Sequence, residues 1–123
     1  MLFRSINIMA IALLLNGCTA VTLAQRYWPR DHDPALASAY VNTKIAVNSV
    51  SCKDKTTWDS LEHNAQFLNE YAQFRSDPQL ESTKAIVENI NKARTTQSEK
   101  ACDIWFDLVK QRLVVLDKAW SGR

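Results

Sequence analysis

Three cysteines and two histidines are the residues of this 123-residue chain that could do chemistry. A thiolate can attack an electrophile, bind a metal ion or join a second thiol in a disulfide. Cys18 directly follows an apolar run, whereas Cys52 and Cys102 lie in the body of the chain. No Cys-x-x-Cys pair occurs, and neither His32 nor His63 is spaced as a metal ligand beside a cysteine. We therefore expect no metal centre built on these cysteines.

The other polar candidates have simpler interpretations. Asp31-His32-Asp33 carries atoms that bind metals, but acidic residues are also common where a helix starts. His63 is expected on the polar side of a helix, and the same holds for four carboxylates: Glu62, Glu70, Glu81 and Glu88. Motifs of serine hydrolases, zinc proteases and phosphate-binding loops are missing from the sequence. We expect no enzyme, no metal site and no bound cofactor.

Composition favours one helical domain. The 15 basic and 13 acidic residues leave a net charge of +2 without a run of like charges, so we expect no nucleic-acid partner. The only glycines are Gly17 and Gly122, although tight β-turns and bulges need glycine. A glycine-free body of about 100 residues is typical of an all-α domain.

The N-terminus reads as an export signal. Arg4 supplies a positive charge, and Ile6 to Leu15 form an apolar stretch interrupted only by Asn7. This stretch is short for a membrane span, which needs about 20 residues, but it matches the core of a signal peptide. An uncleaved spanning helix is the alternative interpretation.

The end of this stretch, Leu15-Asn16-Gly17-Cys18, resembles the lipobox of bacterial lipoproteins. The resemblance implies cleavage between Gly17 and Cys18, which removes residues 1–17 as a signal peptide. It also implies a diacylglycerol thioether and an amide-linked acyl chain such as palmitate on Cys18. Thr19 is not the aspartate that retains such proteins at the inner membrane, so the resemblance implies the periplasmic face of the outer membrane. Several acyl chains would anchor the chain there stably.

Residues 18–32 are expected to form a tether between the lipid and a domain over residues 33–123. Tyr27 and Trp28 lie beside Arg26 and Arg30, a combination that favours the lipid interface. Trp120, at the end of the last predicted helix, is expected to face the membrane as well. Packing of Trp28 against the domain is the alternative.

Apolar periodicity predicts four helices in the domain. The first starts at Asp33-Pro34 and ends near Cys52; the second runs from Thr56 or Thr57 to Arg75-Ser76; the third starts at Asp77-Pro78; the fourth runs from a capping box at Thr96 and Glu99 to about Trp120. The expected core stripes are Leu36, Tyr40, Thr43, Val47 and Val50; Trp58, Leu61, Ala65, Leu68 and Ala72; Leu80, Thr83, Val87 and Ile90, flanked by Ile86; and Cys102, Phe106, Val109, Leu113, Leu116 and Trp120.

Two of these helices carry more apolar surface than packing into the core of a four-helix bundle requires. The surplus residues are Phe67, Tyr71 and Phe74 on the second helix and Trp105 and Val115 on the fourth. Surplus aromatic area marks either a wide core or a partner-binding face. We expect a wide core, and a binding face is the alternative.

Short connections favour an antiparallel, up-down-up-down four-helix bundle. In that topology the first helix ends near Cys52 at the same end where the fourth begins near Cys102. With Cys18 lipidated, these two cysteines form an even pair in an oxidising compartment, so we predict one structural disulfide. A catalytic cysteine–histidine pair is the alternative. The bridge closes a loop of about 50 residues and stabilises the fold by roughly 4 kcal/mol.

Lipobox, size and helical body together resemble the small lipoproteins of tailed phages. Within that group the chain is similar to the outer subunit of a spanin complex. Such a subunit joins an inner-membrane partner and disrupts the outer membrane of the host at the end of lysis. The resemblance implies a function by protein–protein interaction with a periplasmic or inner-membrane partner. The alternatives are an exclusion lipoprotein that blocks a receptor or channel, and a pilotin-like assembly lipoprotein of a secretion or conjugation system.

Overall fold

A computed structural model of the chain describes residues 33–121, which form four α-helices. The helices are α1 (Pro34–Ser49), α2 (Asp59–Phe74), α3 (Leu80–Thr95) and α4 (Glu99–Trp120). No strand occurs in this part of the chain, where only a single antiparallel bridge joins Ser51 to Asp54. The prediction of an all-α domain is confirmed. The predicted signal peptide (residues 1–17) and the predicted tether (residues 18–32) lie outside the described residues.

Contacts between helix ends define the antiparallel order. Tyr71 and Arg75, near the end of α2, bind Asp33 at the start of α1. Trp120 at the end of α4 binds Asp77, which precedes α3. These residues mark what we call the lower end. The Cys52–Cys102 disulfide joins the connection after α1 to the first turn of α4, and it marks the upper end. The chain therefore runs up, down, up and down, as predicted.

The start of α1 follows directly from the sequence. Asp33 has an extended backbone, and its Oδ1 accepts hydrogen bonds from the backbone N–H groups of Ala35 (3.0 Å) and Leu36 (3.2 Å). Pro34 occupies the first helical position, where the missing N–H costs nothing because that group would have no partner in the helix. The predicted N-cap is confirmed, although α1 ends at Ser49, slightly before the expected position.

Other helix starts differ from the predictions. The capping box at Thr96 is wrong: Ser98 is the N-cap of α4 and accepts from the N–H of Ala101 at 3.2 Å. Thr96 is instead the C-cap of α3, because its own N–H donates to the carbonyl of Lys92. Asp77 does accept a hydrogen bond, from the N–H of Gln79 at 2.8 Å, but a turn separates it from the start of α3 at Leu80.

The end of α2 turns without a glycine. Ser76 adopts a positive φ of 49°, a region in which glycine is usual. The N–H of Ser76 bonds the carbonyl of Gln73 at 3.0 Å, and the N–H of Asp77 bonds the carbonyl of Ala72 at 2.9 Å. This Schellman pattern satisfies two of the last carbonyls of α2 and redirects the chain towards α3.

The core is a single cluster along the axis of the bundle. The predicted stripes of α1, α2 and α4 are buried, apart from Val50 and Trp120, which pack at the margin. The stripe of α3 is rotated from its prediction, since Leu80 and Val87 are only half-buried. Its buried residues are Ser82, Thr83, Ile86, Ile90 and Ala93. The Thr83 hydroxyl, which is buried in both the predicted and the observed arrangement, contacts Asn69 Oδ1 of α2 at 2.9 Å.

Candidate interaction surface

The predicted disulfide closes the upper end. Cys52 and Cys102 are bonded, with 5.9 Å between their Cα atoms. Cys102 is fully buried in the core cluster, and Cys52 packs against that cluster from the loop after α1. The bond thus connects α1 to α4, the first and last helices of the bundle.

Lys55 binds the exposed end of a neighbouring helix. Its ammonium donates to the backbone carbonyls of Ala93 (2.8 Å), Arg94 (3.2 Å) and Thr96 (2.7 Å) at the C-terminus of α3. These carbonyls have no partner within the helix, and the helix dipole places partial negative charge on them. Lys55 therefore ties the α1–α2 connection to α3 and completes the hydrogen bonding of the upper end.

An aromatic and charged cluster surrounds Asp33 at the lower end. The Tyr71 hydroxyl lies 3.1 Å from Asp33 Oδ2, and Arg75 Nε lies 3.3 Å from the same oxygen. Partial burial raises the pKa of Asp33, but hydrogen bonds from Leu36, Tyr71 and Ala35 and the charge of Arg75 outweigh it and lower that pKa below 3.8. The residue at which the described domain begins is thus held firmly to α2.

Trp120 lies at the same end but points largely into the domain. Its indole packs edge-on against Tyr40, with 5.7 Å between ring centroids, and its Nε1–H donates to Asp77 Oδ1 at 3.3 Å. The Tyr40 hydroxyl donates to Asp117 Oδ1 at 3.0 Å. Burial first, then this hydrogen bond and the charge of Asp117, raise the pKa of Tyr40 to about 12. Trp120 is half-buried. Its expected role at a membrane interface stays a prediction.

Exposed apolar side chains are distributed unevenly around the bundle. Within the described residues, all large apolar side chains that are exposed lie on α1, α2 and α4, and α3 has none. They are Val41, Ile45, Phe67, Phe74, Ile104, Leu108, Val114 and Val115. The expectation that Phe67, Phe74 and Val115 belong to a wide core is therefore wrong. Tyr71 and Trp105 are half-buried and pack at the edge of the core.

Helix α1 is apolar on two sides. Its inner side supplies Leu36, Tyr40 and Val47 to the core, while Val41 and Ile45, four residues apart, lie together on the outer side. Lys44 is the only charged residue in the helix, and it turns sideways towards Asp117, 3.9 Å away. Neighbouring exposed apolar side chains mark sites at which proteins contact other molecules. The outer side of α1 is thus suited to contact another molecule.

An aromatic strip follows the lower half of α2. Phe67 and Tyr71 are stacked with centroids 6.1 Å apart, and Tyr71 and Phe74 lie 6.3 Å apart. Phe74 is 82% exposed and stands beside Arg75 at the lower end. Aromatic rings with arginine neighbours are enriched where proteins bind partners. The strip is therefore a second exposed apolar feature of the domain, besides Val41 and Ile45 on α1.

Two acidic side chains at the start of α2 pair with an arginine of α3. A groove of about 250 Å³ between α2 and α3 contains Glu62 among its lining residues, together with Ala65 and Ile90. The Glu62 carboxylate pairs with Arg94, which also binds Asp59 at 2.7 Å. Glu62 is therefore partly buried and paired, contrary to the expectation that it faces solvent.

The predicted site residues divide between the described and undescribed parts of the chain. Gly17, Cys18, Tyr27, Trp28, Asp31 and His32 lie outside the described residues. His63 is exposed. Within residues 33–121 no group of three or more potential metal ligands is brought together, and no helix has the length and apolar character needed to cross a membrane.

Comparisons with known proteins show no similarity to this chain. No protein-family model matches it, and neither a curated protein nor a solved structure is detectably similar.

Proposed function

We propose that the chain is a lipoprotein anchored through Cys18 at the periplasmic face of the outer membrane, where it binds another protein. Support for the anchor comes from the lipobox-like Leu15-Asn16-Gly17-Cys18 and the apolar stretch before it. The disulfide between Cys52 and Cys102 is consistent with an oxidising compartment. The partner we propose is a periplasmic or inner-membrane protein.

The observation that carries the proposed mode of action is the set of exposed apolar side chains. Val41, Ile45, Phe67 and Phe74 lie on the first two helices and are between 47% and 82% exposed. Exposed apolar clusters of this kind mark interaction sites in soluble domains. Because the same helices also supply the core, the bundle holds this surface rigid, which lowers the entropy cost of binding.

The most specific form of this proposal is the outer subunit of a spanin complex. Its support is the resemblance to phage lipoproteins in lipobox, size and helical body. In a culture undergoing phage lysis, deletion of the gene is expected to leave dead but unlysed, spherical cells. Normal lysis without the protein would refute the spanin role. If expression alone then made cells resistant to superinfection or mating, the exclusion role would replace it.

The proposed surface can be tested by substitution. Phe67→Ser and Phe74→Ser, combined in one chain, remove exposed rings and leave the core residues in place. The variant is expected to fold like the wild type, measured by circular dichroism and thermal unfolding, but to lose complementation of the deletion. The matched control, Lys84→Ser on the polar α3, should complement. Full complementation by the double variant would contradict the role of the aromatic strip.

A further inference from the structure

Helix α4 carries a second, partly apolar stripe that the bundle does not use: four of its six residues are apolar, and Gln111 and Lys118 are polar. Its core stripe runs from Cys102 to Leu116. A separate series with 3-4-3-4-3 spacing lies on the outside of the helix: Ala101, Ile104, Leu108, Gln111, Val115 and Lys118. Ile104, Leu108 and Val115 are 57%, 36% and 43% exposed. This spacing places the residues at the a and d positions of a heptad repeat, over about 27 Å of helix.

The residues beside this outer stripe are complementary to a parallel copy of themselves. In a parallel two-stranded coiled coil, a g residue faces the e residue five positions further along the partner. Asp107 at g then faces the partner copy's Arg112 at e, and Lys100 faces the ring of the partner copy's Trp105. The first contact joins opposite charges, and the second is a cation–π pair.

The described structure leaves Asp107 and Arg112 accessible. Asp107 has only a long contact to Lys110, at 4.0 Å, and its side chain is 70% exposed. Arg112 is exposed and has no ion pair among the described residues. The Trp105 ring is half-buried against the core, and Lys92 lies 4.7 Å from its centroid, so this ring already binds one cation.

We infer that the chain forms a parallel homodimer through the outer stripe of α4. A second copy of the chain offers partners to the residues on both sides of the stripe. Each contact between the copies occurs twice because the pairing is symmetric. Gln111, in the middle of the stripe, meets Gln111 of the other copy, and the two side-chain amides supply both donors and acceptors for a hydrogen bond between the copies. The apolar residues around it supply the burial.

The parallel direction also agrees with the proposed anchor. Two chains lipidated in one membrane have their lower ends on the same side, so their α4 helices are parallel. A contact of little more than two heptads is weak between free molecules, and confinement to one membrane raises the effective concentration. The heptad spacing and the charge pair are independent of the proposed anchor. The anchor affects only the strength of dimerisation in the cell.

The direct test is cysteine crosslinking of the full-length chain in isolated membranes. A disulfide requires Cα atoms within about 7 Å, so only residues that face their own copy can react. Ile104→Cys and Val115→Cys, made separately, are expected to shift from monomer to a reducible dimer on mild oxidation. Glu88→Cys, on the polar α3, is the matched control and should stay monomeric. Dimer formation no greater than in this control would overturn the inference.

The same variants distinguish the direction of pairing. In an antiparallel dimer centred on this stripe, Ile104 would face Val115 of the other copy, and two copies of Ile104 would lie about 16 Å apart. Crosslinking found only when Ile104→Cys and Val115→Cys chains are mixed would therefore refute the parallel dimer.

Charge reversal tests the flanks independently. In the Ile104→Cys background, Asp107→Arg places two arginines together and is expected to lose most of the crosslinked dimer. Adding Arg112→Asp restores the opposite charges and is expected to restore the dimer. Equal crosslinking in all three chains would show that the charge pair does not guide assembly. To separate this result from anchoring, Cys18→Ser chains at high protein concentration should give the same ranking.

Discussion

At the scale of single residues, Asp33 combines several contacts in one carboxylate. It caps α1, accepts from the Tyr71 hydroxyl and pairs with Arg75. These contacts stabilise the ionised form and lower the pKa of Asp33 despite partial burial. Asp33 thus holds the start of α1 against the end of α2, and its contribution depends on its charge.

Substitutions at Asp33 separate the cap from the charge. Asp33→Ala is expected to lower the free energy of unfolding at pH 7 by about 1 kcal/mol, the usual effect of losing an N-cap. Asp33→Asn keeps a capping oxygen but loses the pair with Arg75. Because the folded pKa is below 3.8, the ionised group stabilises the fold at higher pH, and this stabilisation is lost as the pH falls through 3.8 towards the folded value.

The measurement is urea unfolding across pH 2 to 7, compared by the transition midpoint. The wild type should lose more stability than Asp33→Asn over the acidic part of this range. Identical acid dependence in the two proteins would show that the contacts of Asp33 do not favour its charged form.

Residue types predicted some local details and not others. Asp33-Pro34 combines a cap with a residue suited to the first helical position, so the start of α1 could be read from the sequence. Between Thr96 and Ser98 either hydroxyl fits a cap. In the structure Thr96 is the C-cap of α3 and Ser98 is the N-cap of α4. Which of the two caps α4 thus depends on where the preceding helix ends.

At the scale of the elements, helix ends depend on residues from other segments. Lys55 lies in the α1–α2 connection, yet it binds three carbonyls at the end of α3. Sequence periodicity carries no signal for this contact, because the partners are backbone groups about 40 residues away. Only the folded arrangement of the upper end reveals it.

Removal of this contact is expected to destabilise the domain. Lys55→Met keeps the length of the side chain but removes all three donors, and a hydrogen bond to a charged group contributes about 1.5–3 kcal/mol. We expect a loss of about 2 kcal/mol, measured by urea unfolding. Lys53→Met, two residues away and exposed, is the control and should change stability little. Equal stability of the two variants would contradict the capping role of Lys55.

Sequence periodicity carries no information on contacts between helices, and this explains which helix faces could be predicted. Periodicity located the buried stripes of α1, α2 and α4, since each has one strong apolar repeat. For α3 it was right for Thr83, Ile86 and Ile90 but not for Leu80 and Val87, which are half-buried. Ile86 and Val87 are adjacent and both apolar, so the apolar pattern alone does not decide which of them turns inward. It also could not separate core from surface for Phe67 and Phe74, whose exposure depends on how many neighbours the helix has.

At the scale of the whole molecule, the disulfide links the first helix of the bundle to the last. The bond between Cys52 and Cys102 spans 50 residues and joins α1 to α4. The even pair of cysteines and the helix order together predicted it, so this long-range feature was accessible from the sequence. The predicted topology and the bond support each other.

Loss of the disulfide is expected to lower the stability of the domain strongly. In the chain-entropy model a loop of this size is worth about 4 kcal/mol, a large share of the stability of a small domain. Cys52→Ala combined with Cys102→Ala should therefore shift the urea midpoint far below that of the oxidised wild type. The reduced wild type is the control with unchanged sequence and should behave alike. An unchanged midpoint in both would show that the bond does not support the bundle.

We propose above all that the chain is processed and lipidated at Cys18, which would determine its compartment. Mass spectrometry of the N-terminal tryptic peptide, from protein extracted from bacterial membranes, tests it most directly. The account predicts a peptide that begins at Cys18, ends at Arg26 and carries the mass of a diacylglycerol group and an amide-linked acyl chain. A chain that retains residues 1–17, or a peptide with an unmodified Cys18 thiol, would contradict it.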